Sequence, residues 1–255
     1  MKWNDAAKAF ERAVAANDGN AVAHFWLGRT YGTQVMQASL FRQPALAKKT
    51  RAHLERAVQL DPDHLDARTG LMQFYLRAPG IAGGSVAKAR QQVEEVRRRH
   101  AYRGGMLAAT VARREKQYAA AIGEYERLIA QYPDSSAAWS SLASTYGDQR
   151  QWDNAFRTID RFIAAQPGAL LAQSAIGRAA AESGQQLDRG EAGLRRDIAA
   201  AVPSPCEPTI ATAHLRLGAI HERRGDTAQA RSAYQTALRL EPTLEAARDA
   251  LKKLK

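Results

Sequence analysis

The chain has 255 residues, 45% of them hydrophobic, with 37 Lys and Arg against 26 Asp and Glu, and a single cysteine, Cys206. That length suits one large domain or two small ones, no run of eighteen apolar residues offers a membrane-spanning helix, and the lone thiol excludes an internal disulfide or a two-thiolate site. The net charge of +11 points to acidic partners, whether nucleic acid, anionic lipid or an acidic peptide. The opening MKWNDAAKAF carries a lysine with no apolar core behind it, so no secretory signal is expected. The expectation is a soluble chain, cytoplasmic, or periplasmic if an upstream leader was removed.

In chain order, Trp3, Ala6, Phe10 and Ala13 form one helical stripe in residues 1–20. Residues 21–63 follow with His24, Leu27, Gly28 and Tyr31 on a first helix and Thr50, Leu54 and Ala57 on a second, ended by Pro62. An insertion near TQVMQASLFRQPALAK separates the two. Its apolar Val35, Met36, Leu40, Phe41 and Leu46 predict an extended first helix and a packed turn at Pro44. Residues 65–101 place Leu71, Met72, Tyr75, Ala89, Val93 and Val96 in the core and carry a second insertion, Arg77 to Ser85. Its glycines and proline predict a structured turn with Ser85 as an N-cap, and the equivalent placement of the two insertions predicts that they touch.

Residues 102–135 contribute Ala109, Tyr118, Ala121, Tyr125 and Leu128. The most regular segment is 136–169, containing SAAWSSLASTYGDQRQWDNAFRTIDRFIAAQP. Trp139, Leu142, Ala143 and Tyr146 lie at i, i+3, i+4 and i+7, and Trp152, Ala155, Ile159 and Phe162 repeat the stripe before Pro167. A short polar link joins the stripes, so two antiparallel helices must pack face to face, with the alanines letting their axes approach. In 170–208 the second stripe shifts to Leu187, Glu191, Leu194 and Ile198 and leads into VPSPCEPT, read as a stiff linker. Residues 211–244 return to the regular pattern, and 245–255 read as a charged capping helix.

The spacing W-x2-L-[G/A]-x2-Y, the small residue at Ala155 and the terminating proline resemble the tetratricopeptide repeat. The stretch LMQFYLRAPGIAGGSVAKAR is similar to a bacterial type of that family, with insertions in two adjacent repeats. The resemblance implies an all-α fold: a right-handed superhelical α-solenoid of about fourteen helices in stacked antiparallel pairs, forming one domain over 1–255. It implies a binding scaffold, with no enzyme activity and no cofactor.

Chemical motifs are weak. His221-Glu222 begins H-E-x-x-H, but position 225 is Gly225, so the zinc pattern fails. His214 and His221 occupy the repeat's own core places, and a metal site built on them with Cys206 is the least favoured reading. GIAGGSVAK lacks the Gly-Lys-Ser/Thr and the strand of a phosphate loop, and the pairs Glu94–Glu95 and Asp188–Glu191 read as helix-face charges. No Ser-His-Asp or Cys-His constellation can be drawn.

In proteins of the resembled family the second, fifth, ninth, twelfth and thirteenth places of each first helix line a concave groove. Counting alike gives Phe25, Arg29, Thr69, Gln73, Met106, Thr110, Arg113, Arg114, Ser140, Ser144, Arg178 and Arg223. The lysine–asparagine clamp of the chaperone-binding members is absent, since Phe25 with Arg29, Thr69 with Gln73 and Met106 with Thr110 hold its places. The leading expectation is a groove that docks an acidic peptide or helix of a partner protein. The alternative is electrostatic binding of RNA or anionic lipid by 86–116, which holds nine bases against three glutamates, among them Arg97, Arg98, Arg99 and Arg103.

Overall fold

The computed structural model describes residues 3–200 and 209–254, which are helical with no strand. The helices are α1 (Trp3–Ala16), α2 (Ala21–Gln37), α3 (Gln43–Leu60), α4 (Leu65–Arg77), α5 (Val86–Arg99), α6 (Ala101–Arg114), α7 (Tyr118–Gln131), α8 (Ser136–Asp148), α9 (Trp152–Ala165), α10 (Leu170–Ser183), α11 (Leu187–Ala200), α12 (Ile210–Arg223), α13 (Thr227–Leu240) and α14 (Glu245–Lys253), with a 3-10 turn at Gly80–Ala82. Among the described residues no helix is long and apolar enough to cross a membrane. The linker VPSPCEPT and its Cys206 lie outside the described residues, apart from Thr209 at its end.

Side chains cap the starts of α2, α4, α5, α6, α8, α12 and α13. Asn20, Ser85, Ser135, Thr209 and Asp226 each accept a hydrogen bond from the backbone N–H three residues on. The ring nitrogens of His64 and His100 do the same for Ala67 and Arg103.

The chain divides into two compact units, Met1–Glu124 and Tyr125–Lys255, with the division inside α7. In the first, α2 packs on α3 and α4 on α5, around Phe25, Leu54, Leu71, Met72, Tyr75 and Val93. In the second, α8 packs on α9, α10 on α11 and α12 on α13; one cluster joins Phe156, Ile159 and Ile176, another Leu194, Leu217 and Ile220.

One contact recurs in both units. Trp139 Nε1 donates to the carbonyl of Pro133 at 3.0 Å, His24 Nε2 to Asp18 at 3.2 Å, Arg68 Nε to Pro62 at 2.6 Å and Arg248 Nη2 to Pro242 at 2.8 Å. Each donor sits in the fourth place of a repeat and reaches the link before its helix. A carbonyl left there without a helical partner needs an N–H, and indole, imidazole and guanidinium all supply one. In the first unit Tyr31 donates to Glu11 at 2.5 Å and Tyr75 to Glu55 at 2.7 Å, and burial followed by the carboxylate contact pushes both phenols above their ordinary pKa.

The insertions depart in part from expectation. α2 does extend, and Pro44 does stand in the first turn of α3. The turn before it is not packed: Met36, Leu40 and Phe41 are exposed, and only Leu46 reaches a core cluster, with Ala7, Leu27 and Tyr31. Full burial along α2 stops at Tyr31, and cover thins from the partly buried Val35 to the exposed Met36. The second insertion is a built turn. Ser85 N–H donates to Tyr75 at 2.9 Å, a Cβ on Gly84 would stand 1.8 Å from the Ala78 carbonyl oxygen, and Gly83 has φ +93°. The turn rests on α3, where the Arg51 side chain lies against Gly83.

The stripe expected on α11 holds at Leu187, Leu194 and Ile198, which share one core cluster, and is corrected only at Glu191, which pairs with Arg195 and Arg224, and by the burial of Gly190 and Gly193. A Cβ on Gly190 would stand 2.3 Å from that of Ala180, so hydrogen side chains set this close approach to α10.

Candidate functional site

Within the second unit, α8, α9, α10 and α12 enclose a cleft of about 80 Å³. Successive turns of α8 bring Ser140, Ser144 and Gly147 to it, and α10 brings Ser174, Arg178 and Glu182 at a four-residue spacing. Trp152 and Ile159 line it from α9, and Arg216 enters from α12.

Its two arginines are in different states. Arg178 is engaged: Nη1 donates to Ser144 Oγ at 2.7 Å, Nε donates to Glu182 Oε1 at 2.9 Å, and Asp148 Oδ1 stands 3.8 Å from Nη2. Arg216 Nη1 is buried and makes no hydrogen bond among the described residues. Burial, then the neighbouring Arg178 charge, lowers its pKa, while Glu182 and Asp197 oppose the shift. A guanidinium stays protonated under such pressure, so the cleft holds a cation with an unused donor. Asp197 accepts from Ser174 Oγ at 2.6 Å and is thereby held within the same cluster. Charge-assisted hydrogen bonding to an anion is the chemistry the cleft offers.

Of the groove residues counted from sequence, Ser140, Ser144 and Arg178 meet here. Arg223 lies elsewhere on the second unit and caps α10, its Nε and Nη2 donating to the carbonyls of Ala181 and Glu182 at 2.8 and 2.7 Å. Phe25 is buried against His64, with the Arg29 guanidinium over its ring and over that of Trp26. Gln73, Thr110 and Arg114 are exposed on the first unit, and Met106 and Arg113 are half-buried. Arg216 was not found by counting. Its signal was an arginine beside Leu217 in the otherwise apolar middle of α12.

The arginine-rich segment carries less free charge than its composition suggests. Arg97 pairs with Glu124 at 3.0 Å, Arg98 with Glu95 at 2.9 Å, Arg99 with Asp63 at 2.6 Å, and Arg103 with Asp66. Arg90 pairs with Glu115 at 2.7 Å. Carboxylates from α7, the link before α4 and α4 thus pair with Arg97, Arg99 and Arg103 of the segment expected to bind RNA or lipid. His221 is buried and His214 half-buried with its pKa lowered, chiefly by burial, and no group of three His, Cys, Asp or Glu among the described residues could hold a metal.

One tetratricopeptide repeat family model matches residues 2–31, 81–136 and 106–169, and a second matches 211–244, together more than half of the chain. No curated protein matches by sequence. Among solved structures the fold is similar to a chain of the APC/C hetero-tetramer Cut9–Hcn1, at 12% identity over 99% of this chain and 46% of that one, with TM-score 0.60. It is similar to human IFIT1, solved as a dimer with PPP-AAAA, at 18% identity over 99% and 59% with TM-score 0.66. A tetratricopeptide repeat protein from Parabacteroides merdae matches at 12% identity over 96% and 98% with TM-score 0.59. The chain spans about half the length of the first two, and at these identities the likeness is one of fold. With the repeated stripes, the recurring fourth-place donor and the family matches in agreement, the chain belongs to the tetratricopeptide repeat family.

Proposed function

We propose that this chain is a non-enzymatic scaffold that docks an acidic segment of a partner protein on α8, α10 and α12, one carboxylate entering the cleft beside Arg178 and closing on Arg216. The observation that carries this reading is the buried Arg216 Nη1 without a hydrogen-bond partner, because a desolvated cationic donor left open is costly unless something arrives to accept from it. Ser140, Ser144 and the Trp152 ring add polar and apolar contact around the same opening. Families of this repeat are typically interaction scaffolds, and the structure of Cut9 with Hcn1 is one such assembly.

The test is titration of the chain with a glutamate-rich peptide and its glutamine counterpart, followed by the fluorescence of Trp152 in the cleft. The acidic peptide should bind and its affinity should fall at least about tenfold in Arg216→Met, the loss expected for one charge-assisted contact. Equal affinity for the two peptides, or for the two proteins, would remove the reading.

A further inference from the structure

The two insertions create a second surface, unrelated to the cleft, on the first unit. Four large apolar side chains there have almost no cover: Met36 is 81% exposed, Leu40 79%, Phe41 96% and Ile81 100%. All four belong to the links α2–α3 and α4–α5 or the helix turn entering them. Because α3 runs back along α2 and α4 along α3, these two links leave the unit at the same edge, and the 3-10 turn bearing Ile81 rests on α3.

The charge around them is one-sided. No Asp or Glu occurs between Asp18 and Glu55, or between Asp66 and Glu94, and these stretches carry five and four bases respectively. Arg42, Lys48 and Arg77 flank the apolar residues, are exposed, and form no ion pair among the described residues. They contrast with Arg97, Arg98, Arg99 and Arg103 of the same unit, each of which has a carboxylate partner.

We propose that this edge docks on the surface of an anionic lipid bilayer, with Phe41, Leu40, Met36 and Ile81 entering the interfacial layer and Arg42, Lys48 and Arg77 meeting the headgroups. Protruding apolar side chains ringed by unpaired cations need a partner that is apolar in depth and negative at its face, which is the layered chemistry of such a bilayer. A folded protein would have to present a separate socket for each exposed tip together with carboxylates for the bases. No helix here spans a membrane among the described residues, so the association is peripheral and reversible.

Sedimentation with vesicles tests this directly, comparing phosphatidylcholine alone with phosphatidylcholine containing phosphatidylserine. The full chain should sediment with the second and hardly with the first, and rising salt should release it. The double substitution Phe41→Asp with Ile81→Asp should lower binding about tenfold or more. Both positions are exposed, so circular dichroism and melting temperature should stay as in the unaltered chain. Arg42→Glu with Arg77→Glu should act in the same direction, while Arg216→Met should leave vesicle binding unchanged. Failure of the unaltered chain to bind the phosphatidylserine vesicles overturns the proposal, as does equal binding to both vesicle types. Undiminished binding by the Phe41 and Ile81 double variant, with its fold intact, overturns it too.

Discussion

Replacing Arg216 by methionine should stabilise the second unit while abolishing its anion site. The buried Nη1 has no acceptor, and an unsatisfied buried donor costs roughly 1–3 kcal/mol, more when it carries charge. Methionine keeps most of the aliphatic stem and its packing, so the apolar contacts are largely conserved. The substitution strands no carboxylate, since Glu182 keeps its bond from Arg178 Nε and Asp197 keeps that from Ser174 Oγ. It also relieves the repulsion between the two guanidinium groups. A gain of about 1–2 kcal/mol is therefore expected, a rise of a few degrees in midpoint for a unit of this size. Arg178→Met should do the opposite and cost about 1 kcal/mol, because Arg178 joins Ser144 of α8 to Glu182 of its own helix. Thermal and urea unfolding followed by far-ultraviolet circular dichroism will read both signs. If Arg216→Met proves as destabilising as Arg178→Met, Arg216 is a structural cation held by Glu182 and Asp197, and the open-donor argument fails.

The remaining expectations use the same structure. Gly104→Ala in α6 should destabilise by about 1–3 kcal/mol despite a better helix former, because the new Cβ would lie 2.3 Å from Arg97 Cα and 2.6 Å from its backbone nitrogen. Gly123→Ala in α7 meets nothing within 4 Å and should stabilise by about 0.5–1 kcal/mol; a gain at both positions in the same melting assay would contradict the close α5–α6 approach. His53, whose Nδ1 stands 3.0 Å from that of His24, has its pKa lowered first by burial and then by the His24 charge. The folded chain then takes up fewer protons than the unfolded one below about pH 6.5, so this contribution is present above that pH and is lost on acidification. Melting temperature should drop more for the unaltered chain than for His53→Gln between about pH 7.5 and 5.5, and equal drops would exclude the histidine pair as the cause.

Much of the fold could be read in advance because a helical repeat writes its core as a local period. The stripes through Leu71, Met72 and Tyr75, or through Ala155, Ile159 and Phe162, are buried where the spacing put them. Ser85 caps α5 as its position before the helix implied. What spacing could not supply was the identity of the neighbour. Met36, Leu40 and Phe41 have the hydropathy of a packed turn, yet covering them needs an element that the repeat does not provide, and no residue nearby in sequence records that lack. On α11 the reading followed large side chains, whereas the tightest contact uses the absence of side chains at Gly190 and Gly193.

The same limit governs the charged residues. Counting bases along 86–116 located a patch, but Asp63, Asp66 and Glu124, which neutralise much of it, come from outside that window. Counting groove places found Arg178 and missed Arg216, because the sixth place of a repeat becomes part of a cleft only when the helices on either side bear small residues. Ser140, Ala143, Ser144 and Ala175 supply that space here. Electrostatics in this chain is therefore decided between repeats: an arginine facing a carboxylate on the next helix is structural, and one facing serine and alanine is left open. By that criterion Arg216 and the carboxylate-free insertions, on different units of the chain, are two places where positive charge is open to partners. Separate variants at Arg216 and at Phe41 with Ile81 can accordingly remove one kind of binding without the other.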